Sequence, residues 1–473
     1  MGRLLWIWAT AALLLVFGAV GAARATVSAA ARKYAADQRL NVVVILSDDE
    51  RWDGTAVMKN LQTLIADHGV SFTDYHVTTS LCAPSRASIL TGQYSHHTGV
   101  LQNFDNRPFG EQSSDLPVWL HRAGYETGLV GKYLNSETGL SPMGIPPGWD
   151  DWQAMDSVPM EAYYNYSIND NGRLEHHGNK PSDYSTDVLA RKAVQFIQQA
   201  HHPFFLYFAP VAPHLPATPD KQDQGKLENI APLHDPAFNQ RNIGKEPWRF
   251  WHKNLLSAAA QRYINNVRIH QEESLLSLDR SVRSVVQALK ARHELKRTVI
   301  LYTSDNGFLW GEHRLGGKVW PFEESTHVPL IVRTPWTTSA ARNNQPVLNI
   351  DLAPTISALA GIKPELPEDG RSFLPFLQGE QVPWRHAFLV EYPGKSLLHV
   401  HGGPPPYVAV QTRRNLYVEY KNGWRDLYNL RKDPWELNNL AGDPHTKPLQ
   451  TTLSEVLHRL YDAPPTPIAA SHK

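Results

Sequence analysis

The chain has 473 residues, 42% hydrophobic and 19% charged, which is enough apolar material for a sizeable core and excludes wholesale disorder. Lys plus Arg and Asp plus Glu balance at 46 each, so the basic excess of a nucleic-acid binder is absent. The single cysteine, Cys82, excludes an internal disulfide framework and any zinc site that needs several thiolates.

In chain order, residues 1–25 read as a secretory signal peptide. Arg3 is followed by an uncharged apolar run over 4–20, and Ala23-Arg24-Ala25 places small residues at the cleavage positions. An uncleaved membrane anchor is the alternative, because the run approaches the ~20 residues that span a bilayer. Both readings predict a secreted or cell-envelope protein. Residues 26–40 form an Ala-rich leader.

The apolar run Val42-Val43-Val44-Ile45-Leu46 predicts a strand buried on both faces, ending at Ser47-Asp48-Asp49-Glu50. Met58, Leu61, Leu64 and Ile65 recur at helical spacing, with Gly69 as the expected stop. Leu189, Ala193, Phe196 and Ile197 mark a helix, and residues 204–208 a buried strand that runs into a loop carrying His214. A longer helix carries Leu275, Leu278, Val282, Val285, Val286 and Leu289. Another buried strand over 298–302 ends in Ser304-Asp305-Asn306-Gly307. This alternation predicts an α/β fold, a large, mostly parallel sheet sandwiched by helices. In such sheets ligands bind beyond the carboxyl ends of the strands, so Asp48-Asp49, His214 and Asp305-Asn306 should converge.

The stretches 138–182 and 213–255 lack clear periodicity and read as long loops, either functional or disordered. Beyond Gly361 short strands, as at 407–410 and 416–419, predict a smaller α+β subdomain. The expected division is a catalytic domain over 41–361, a C-terminal subdomain over 362–462 and an unstructured tail over 463–473.

Three carboxylates at two strand ends would repel one another unless a cation sits among them or some are protonated. The oxygen-only set of Asp48, Asp49, Asp305 and Asn306 implies a hard ion, Ca²⁺ or Mg²⁺. Pro84 suits the first turn of a helix, which places Cys82 at a helix N-terminus, where backbone N–H groups favour an anion. Arg86 lies one turn further on.

The string Cys82-Ala83-Pro84-Ser85-Arg86-Ala87-Ser88-Ile89-Leu90-Thr91-Gly92 resembles the signature of the sulfatases of the alkaline phosphatase superfamily. The resemblance runs from Asn41 to about Asp443. Asp48-Asp49 and Asp305-Asn306 resemble the family's metal pairs, and Gly131-Lys132-Tyr133, Ala212-Pro213-His214 and Gly317-Lys318 its lysine and histidine loops. Asp433-Pro434-Trp435-Glu436 resembles its C-terminal turn. Leu134-Asn135 after Lys132, in place of a histidine, is similar to the N-acetylglucosamine-6-sulfatase and endosulfatase branch, as are residues 91–97 and Asn103.

The resemblance implies that Cys82 is oxidised by a formylglycine-generating enzyme and that its hydrate, held on the metal, attacks the sulfur of a sulfate ester. The remaining hydroxyl then expels sulfate by regenerating the aldehyde. It implies that Lys132 and Lys318 clamp the sulfate, that His214 is the general acid, that Arg86 holds the hydrate and that Asn135 contacts substrate. The expected substrate is a sulfated small molecule or glycan, with no nucleic acid involved. A phosphonate or phosphodiester hydrolase of the same superfamily is the runner-up, and a non-catalytic glycan-binding protein the alternative from another class. Trp248, Trp251, Trp310 and Trp320 are expected near the pocket, and Arg241, Lys245, Arg249 and Lys253 as a basic stripe. The pairs His176-His177 and His201-His202 read as surface loop residues, and Asn165-Tyr166-Ser167 as a sequon.

Overall fold

The computed structural model describes residues 39–103, 114–135, 144–155, 162–243, 254–394 and 403–466. The signal-peptide segment, Trp248, Trp251, Lys245, Arg249 and Lys253 lie outside these residues. Among the described residues no helix is long and apolar enough to cross a membrane.

The chain builds β1 (Asn41–Ser47), α1 (Lys59–Leu64), β2 (Gly69–Phe72), α2 (Cys82–Thr91), β3 (Glu126–Gly131), β4 (Asp151–Met155), β5 (Tyr166–Asp170) and β6 (Arg173–His177). It continues with α3 (Ser185–Gln199), β7 (Phe204–Ala209), α4 (Ala258–Ala291), β8 (Thr298–Ser304), β9 (Leu330–Arg333) and β10 (Ala341–Asn343). The ten strands form one sheet in the order β10-β2-β9-β8-β1-β7-β3-β4-β5-β6. Its centre, β8-β1-β7-β3, is parallel throughout, with Val43 opposite Leu206 and Ile300. The edges are mixed, because β9 and β5 run antiparallel to their neighbours.

Both faces of the central strands are covered, which is why they read as unbroken apolar runs rather than alternating ones. Val42, Val44 and Leu46 enter one core with Leu129, Phe205, Tyr207, Val299 and Leu301. Val43 and Ile45 enter the other, where Leu189, Phe196 and Ile197 of α3 and Leu275, Leu278, Val282 and Val285 of α4 cover the sheet. At roughly 1.5–3 kcal/mol for each fully buried large aliphatic or aromatic side chain, this two-sided burial dominates the stability of the sheet.

A separate antiparallel sheet comprises β11 (Ala387–Tyr392), β12 (Tyr407–Thr412), β13 (Asn415–Tyr420) and β14 (Arg425–Asn429). One face packs on Leu309, Leu315, Val319 and Trp320. The other takes Leu453 and Leu457 of α5 (Lys447–Tyr461). Phe373, Phe376 and Leu377 belong instead to the main core.

Several local expectations are corrected. The stretch 138–182 was expected to be irregular but contains β4, β5 and β6, so His176 and His177 stand in an edge strand rather than a loop. Gly69 caps the short 3-10 helix Ala66–His68 after α1, as expected of a helix stop, and also opens β2. Helix α4 starts at Ala258, well before its first buried leucine, Leu275. Thr466 pairs with Glu368, its N–H donating to Glu368 O at 2.9 Å, so the segment after 462 is ordered at least that far.

Candidate active site

Four neighbouring parallel strands deliver the site. Beyond β1, Asp48 and Asp49 cross the sheet edge, and Asp49 takes φ +69, a left-handed conformation that aspartate tolerates better than most residues. Beyond β8, Asp305 N–H donates to Ser47 O at 3.2 Å, which locks the two strand ends together. Beyond β3, Gly131 (φ +120) admits no side chain, since a Cβ there would meet Ala209 O at 2.1 Å. That close approach lets Lys132 N–H donate to Ala209 O at 2.7 Å. Beyond β7, the loop brings in His214, whose backbone oxygen accepts from Tyr163 OH at 2.8 Å.

Cys82 is the first residue of α2, with no solvent exposure, and Gly92 (φ +73) closes that helix. Ala83 N–H, in the first turn, donates to Asn103 Oδ1 at 3.0 Å. Cys82 Sγ lies 3.9 Å from Asp48 Oδ1 and 2.8 Å from Lys318 Nζ. Lys318 also donates to Asp49 Oδ1 at 2.5 Å, and Lys132 Nζ to Asp48 Oδ2 at 2.6 Å. His214 Nε2 stands 3.4 Å from Asp49 Oδ2. Its Nδ1 lies 2.6 Å from Leu215 O, which can only accept, so Nδ1 carries a proton. Asp48, Asp49, Asp305, Asn306, Cys82, Arg86, Lys132 and Lys318 are all buried, and His214 is partly so.

Burial disfavours charge throughout this cluster, yet the pairings win. Desolvation would raise the Asp48 carboxyl, but Lys132, His214 and Arg86 hold it below the usual range. Desolvation acts likewise on Asp49, where Lys318 and His214 hold the carboxyl down. Burial would lower Lys318, and Asp49 keeps its ammonium well above the ordinary lysine range. Burial would also lower His214, but Asp49 and Asp48 push it up to about 9.

The donor set fits a hard cation. Asn306 gives Nδ2 to Asp49 Oδ1 at 2.6 Å and to Gly307 O at 3.0 Å, leaving its buried Oδ1 without a hydrogen-bond partner among the described residues. Ligand atoms of Asp48, Asp49, Cys82 and His214 lie within 4.8 Å of one another. Buried carboxylates beside a spare amide oxygen make a hard-cation environment.

The structure brings together Asp48, Asp49, Cys82, Arg86, Lys132, His214, Asp305, Asn306 and Lys318. Arg86 Nε donates to Asp305 Oδ2 at 2.7 Å and Nη1 to Lys132 O at 2.7 Å, which ties two strand ends, while Nη2 stands 3.6 Å from Asp48 Oδ2. Asn135 is 3% exposed, and its Oδ1 has no hydrogen-bond partner among the described residues. Trp310 and Trp320 are buried, and Trp310 lies under the Arg51 guanidinium at 4.4 Å with Nε1 donating to Gln271 Oε1 at 2.5 Å. They pack the interior and offer no open face to a sugar. Arg241 is exposed.

Sequence reasoning missed Glu50, which is 1% exposed behind the acidic pair. Ser47 Oγ and Tyr302 OH each donate to its Oε2 at 2.5 Å, and burial pushes the carboxyl up to about 7. The signal was present in the run Ser47-Asp48-Asp49-Glu50, but it read only as the end of a strand.

The family model described as Sulfatase matches residues 40–362. The chain belongs to the sulfatase family. As a sulfatase it is an enzyme that hydrolyses sulfate esters. A second model, N-sulphoglucosamine sulphohydrolase, C-terminal, matches residues 311–463. N-acetylglucosamine-6-sulfatase of Homo sapiens is 35% identical to this sulfatase, covering 86% of this chain and 82% of that protein. The extracellular sulfatase SULF-1 homolog of Drosophila melanogaster is 33% identical, covering 82% of this chain and 35% of that protein. The fold is shared with a solved structure described as a complex with its substrate D-glucosamine-2-N,6-O-disulfate. Its TM-score is 0.78 at 23% identity, over 90% of this chain and 99% of that one. It is shared too with the phosphonate monoester hydrolase of Agrobacterium radiobacter, TM-score 0.73 at 22% identity, over 89% and 95% of the two chains.

Proposed function

We propose that this sulfatase acts outside the cytoplasm on the 6-sulfate of a glucosamine-type sugar, with Cys82 carried as formylglycine and Ca²⁺ held by Asp48, Asp49, Asp305 and Asn306. The observation that carries the reading is the contact of Lys318 Nζ with Cys82 Sγ at 2.8 Å, inside the buried acidic cluster. The names of the N-acetylglucosamine-6-sulfatases, whose length this chain largely spans, support the sugar. The uncharged run over 4–20 supports export.

Formylglycine, as its hydrate, supplies one hydroxyl as nucleophile and a second through which sulfate leaves, an exit that serine lacks. Ca²⁺ supplies Lewis acidity at that nucleophile. The chain's own groups do the rest. Lys132 and Lys318 face the sulfate oxygens from two sides, and in a site closed to water each stabilises the growing charge by roughly 3–4 kcal/mol. His214, held by its Nδ1–H on Leu215 O, presents Nε2–H to the leaving sugar oxygen and gives it the proton. Arg86 fixes Asp305 against the Lys132 backbone and so sets the spacing of the two strand ends.

The test has two parts. Peptide mass spectrometry of protein co-expressed with a formylglycine-generating enzyme should show the Cys82 peptide lighter by about 18 Da, the thiol-to-aldehyde difference. Turnover should then favour N-acetylglucosamine-6-sulfate over its 3-O-sulfate and over a phenyl phosphonate ester. An unmodified thiol in active enzyme refutes the formylglycine reading, and a preference for the phosphonate refutes the sulfate reading.

A further inference from the structure

A second cluster of metal-ligating side chains lies apart from the acidic pair at the end of β1. His313, Glu324 and Glu436 come from three separate segments and are 0%, 4% and 2% exposed. One ligand atom from each lies within 4.8 Å of the other two. Glu324 belongs to the short helix Glu323–Thr326, while Glu436 follows β14 in the C-terminal part of the chain.

The imidazole is held in the tautomer a metal requires. Gln240 Nε2 donates to Asn242 O at 2.8 Å and Leu437 O at 3.1 Å, which turns its Oε1 toward His313 Nδ1 at 3.1 Å. An amide oxygen only accepts, so Nδ1 carries the proton and Nε2 keeps its lone pair. An outer hydrogen bond of this kind is how metal-binding histidines are oriented. The ring is fixed further by stacking on Phe322, with centroids 4.1 Å apart.

The two carboxyl groups each leave an oxygen unused. Glu436 Oε2 accepts from Glu323 N–H at 3.3 Å, but Glu436 Oε1 and Glu324 Oε2 have no hydrogen-bond partner among the described residues. The cation beside them, Arg51, is committed to Glu312 at 2.6 Å and Asp53 at 2.8 Å. A dication would balance the two glutamates as carboxylates.

We propose that His313, Glu324 and Glu436 form a second, structural metal site that takes Zn²⁺ and ties the C-terminal subdomain to the segment carrying Lys318. One imidazole and two carboxylates suit zinc, whereas an oxygen-only set such as Asp48, Asp49, Asp305 and Asn306 suits calcium. The inference does not depend on the substrate or on the state of Cys82.

The test is zinc-edge anomalous diffraction on crystals of the full chain soaked in zinc chloride, together with zinc counting by mass spectrometry on protein first stripped with a chelator. The expected result is an anomalous peak between the three side chains. Glu436→Gln and His313→Ala should each lower bound zinc by about one equivalent per chain, and zinc should raise the thermal midpoint of the parent by several degrees but not that of the variants. A zinc-soaked crystal with a peak only near Asp48 and Asp49, or equal zinc in parent and variants, overturns the site. If the variants do not fold, the anomalous map of the parent decides alone.

Discussion

Lys318 Nζ touches Cys82 Sγ at 2.8 Å and Asp49 Oδ1 at 2.5 Å, so a single ammonium bridges the cysteine and the acidic cluster. Replacing it with alanine removes that bridge and one of the two cations proposed to face the sulfate. Lys318→Ala should reduce kcat on the order of 10²–10³-fold. Lys318→Arg should not restore it, since the planar guanidinium does not occupy the ammonium's position. Steady-state kinetics on an aryl sulfate and on a sugar sulfate check both points.

Arg86 has no solvent exposure and pairs with Asp305 at 2.7 Å. Its removal leaves a buried carboxylate beside Asp49 with no compensating guanidinium. Arg86→Ala should cost about 3–5 kcal/mol, the usual effect of breaking a buried pair from one side. Urea unfolding of parent and variant measures this, and an unchanged midpoint would rule the pair out as a structural element.

Asp48, Asp49 and Asp305 crowd together between β1 and β8, so the proposed Ca²⁺ should stabilise the folded chain as well as activate it. Chelation should abolish turnover and lower the thermal midpoint, and Ca²⁺ at about 100 times its dissociation constant should return roughly 2.7 kcal/mol. Scanning calorimetry with and without chelator tests this. Full activity after exhaustive chelation would sink the metal assignment.

Asp426 offers a pH dependence far from the metal site. Burial pushes its carboxyl up to about 7, although Tyr420 OH donates to it at 2.7 Å and Asn439 Nδ2 at 2.6 Å. The unfolded chain releases this proton near 3.8, so its contribution is complete below that pH and is lost as pH rises through about 7. Asp426→Asn should flatten that part of the stability profile and leave the variant relatively more stable near neutrality. Urea midpoints at about pH 4.5 and about pH 7.5 make the comparison.

The central strands were legible because two-sided burial writes itself as a continuous apolar run, as in Val42-Val43-Val44-Ile45-Leu46. Placing the chemical residues just after those strands followed from the same reading, and the distances among Asp48, Asp305 and Lys132 accord with it. Edge strands were not legible, because Arg173–His177 is largely exposed and carries no alternation strong enough to separate it from a loop. The start of α4 was hidden because its first turns face solvent, with Tyr263 68% exposed. The partner of Arg86 could not be read either, because Asp305 is distant in sequence and only the sheet brings it near. Trp310, expected near the pocket from its place in the chain, is instead buried under Arg51, a contact between segments far apart in sequence.

The pairing of β1 with β8 has a consequence for synthesis. Ser47 lies opposite Ser304, and that register fixes the distance between Asp48-Asp49 and Asp305. Until the ribosome has delivered Ser304, β1 lacks its neighbour on that side, and the wall around Cys82 is incomplete. Lys318, which touches Cys82, emerges later still. Between the synthesis of Cys82 and that of Lys318, therefore, the cysteine is open to the proposed modifying enzyme, whereas in the finished protein its exposure is 0%. Closure of one long loop sets the deadline for that encounter, and such non-local closures are slow steps in folding.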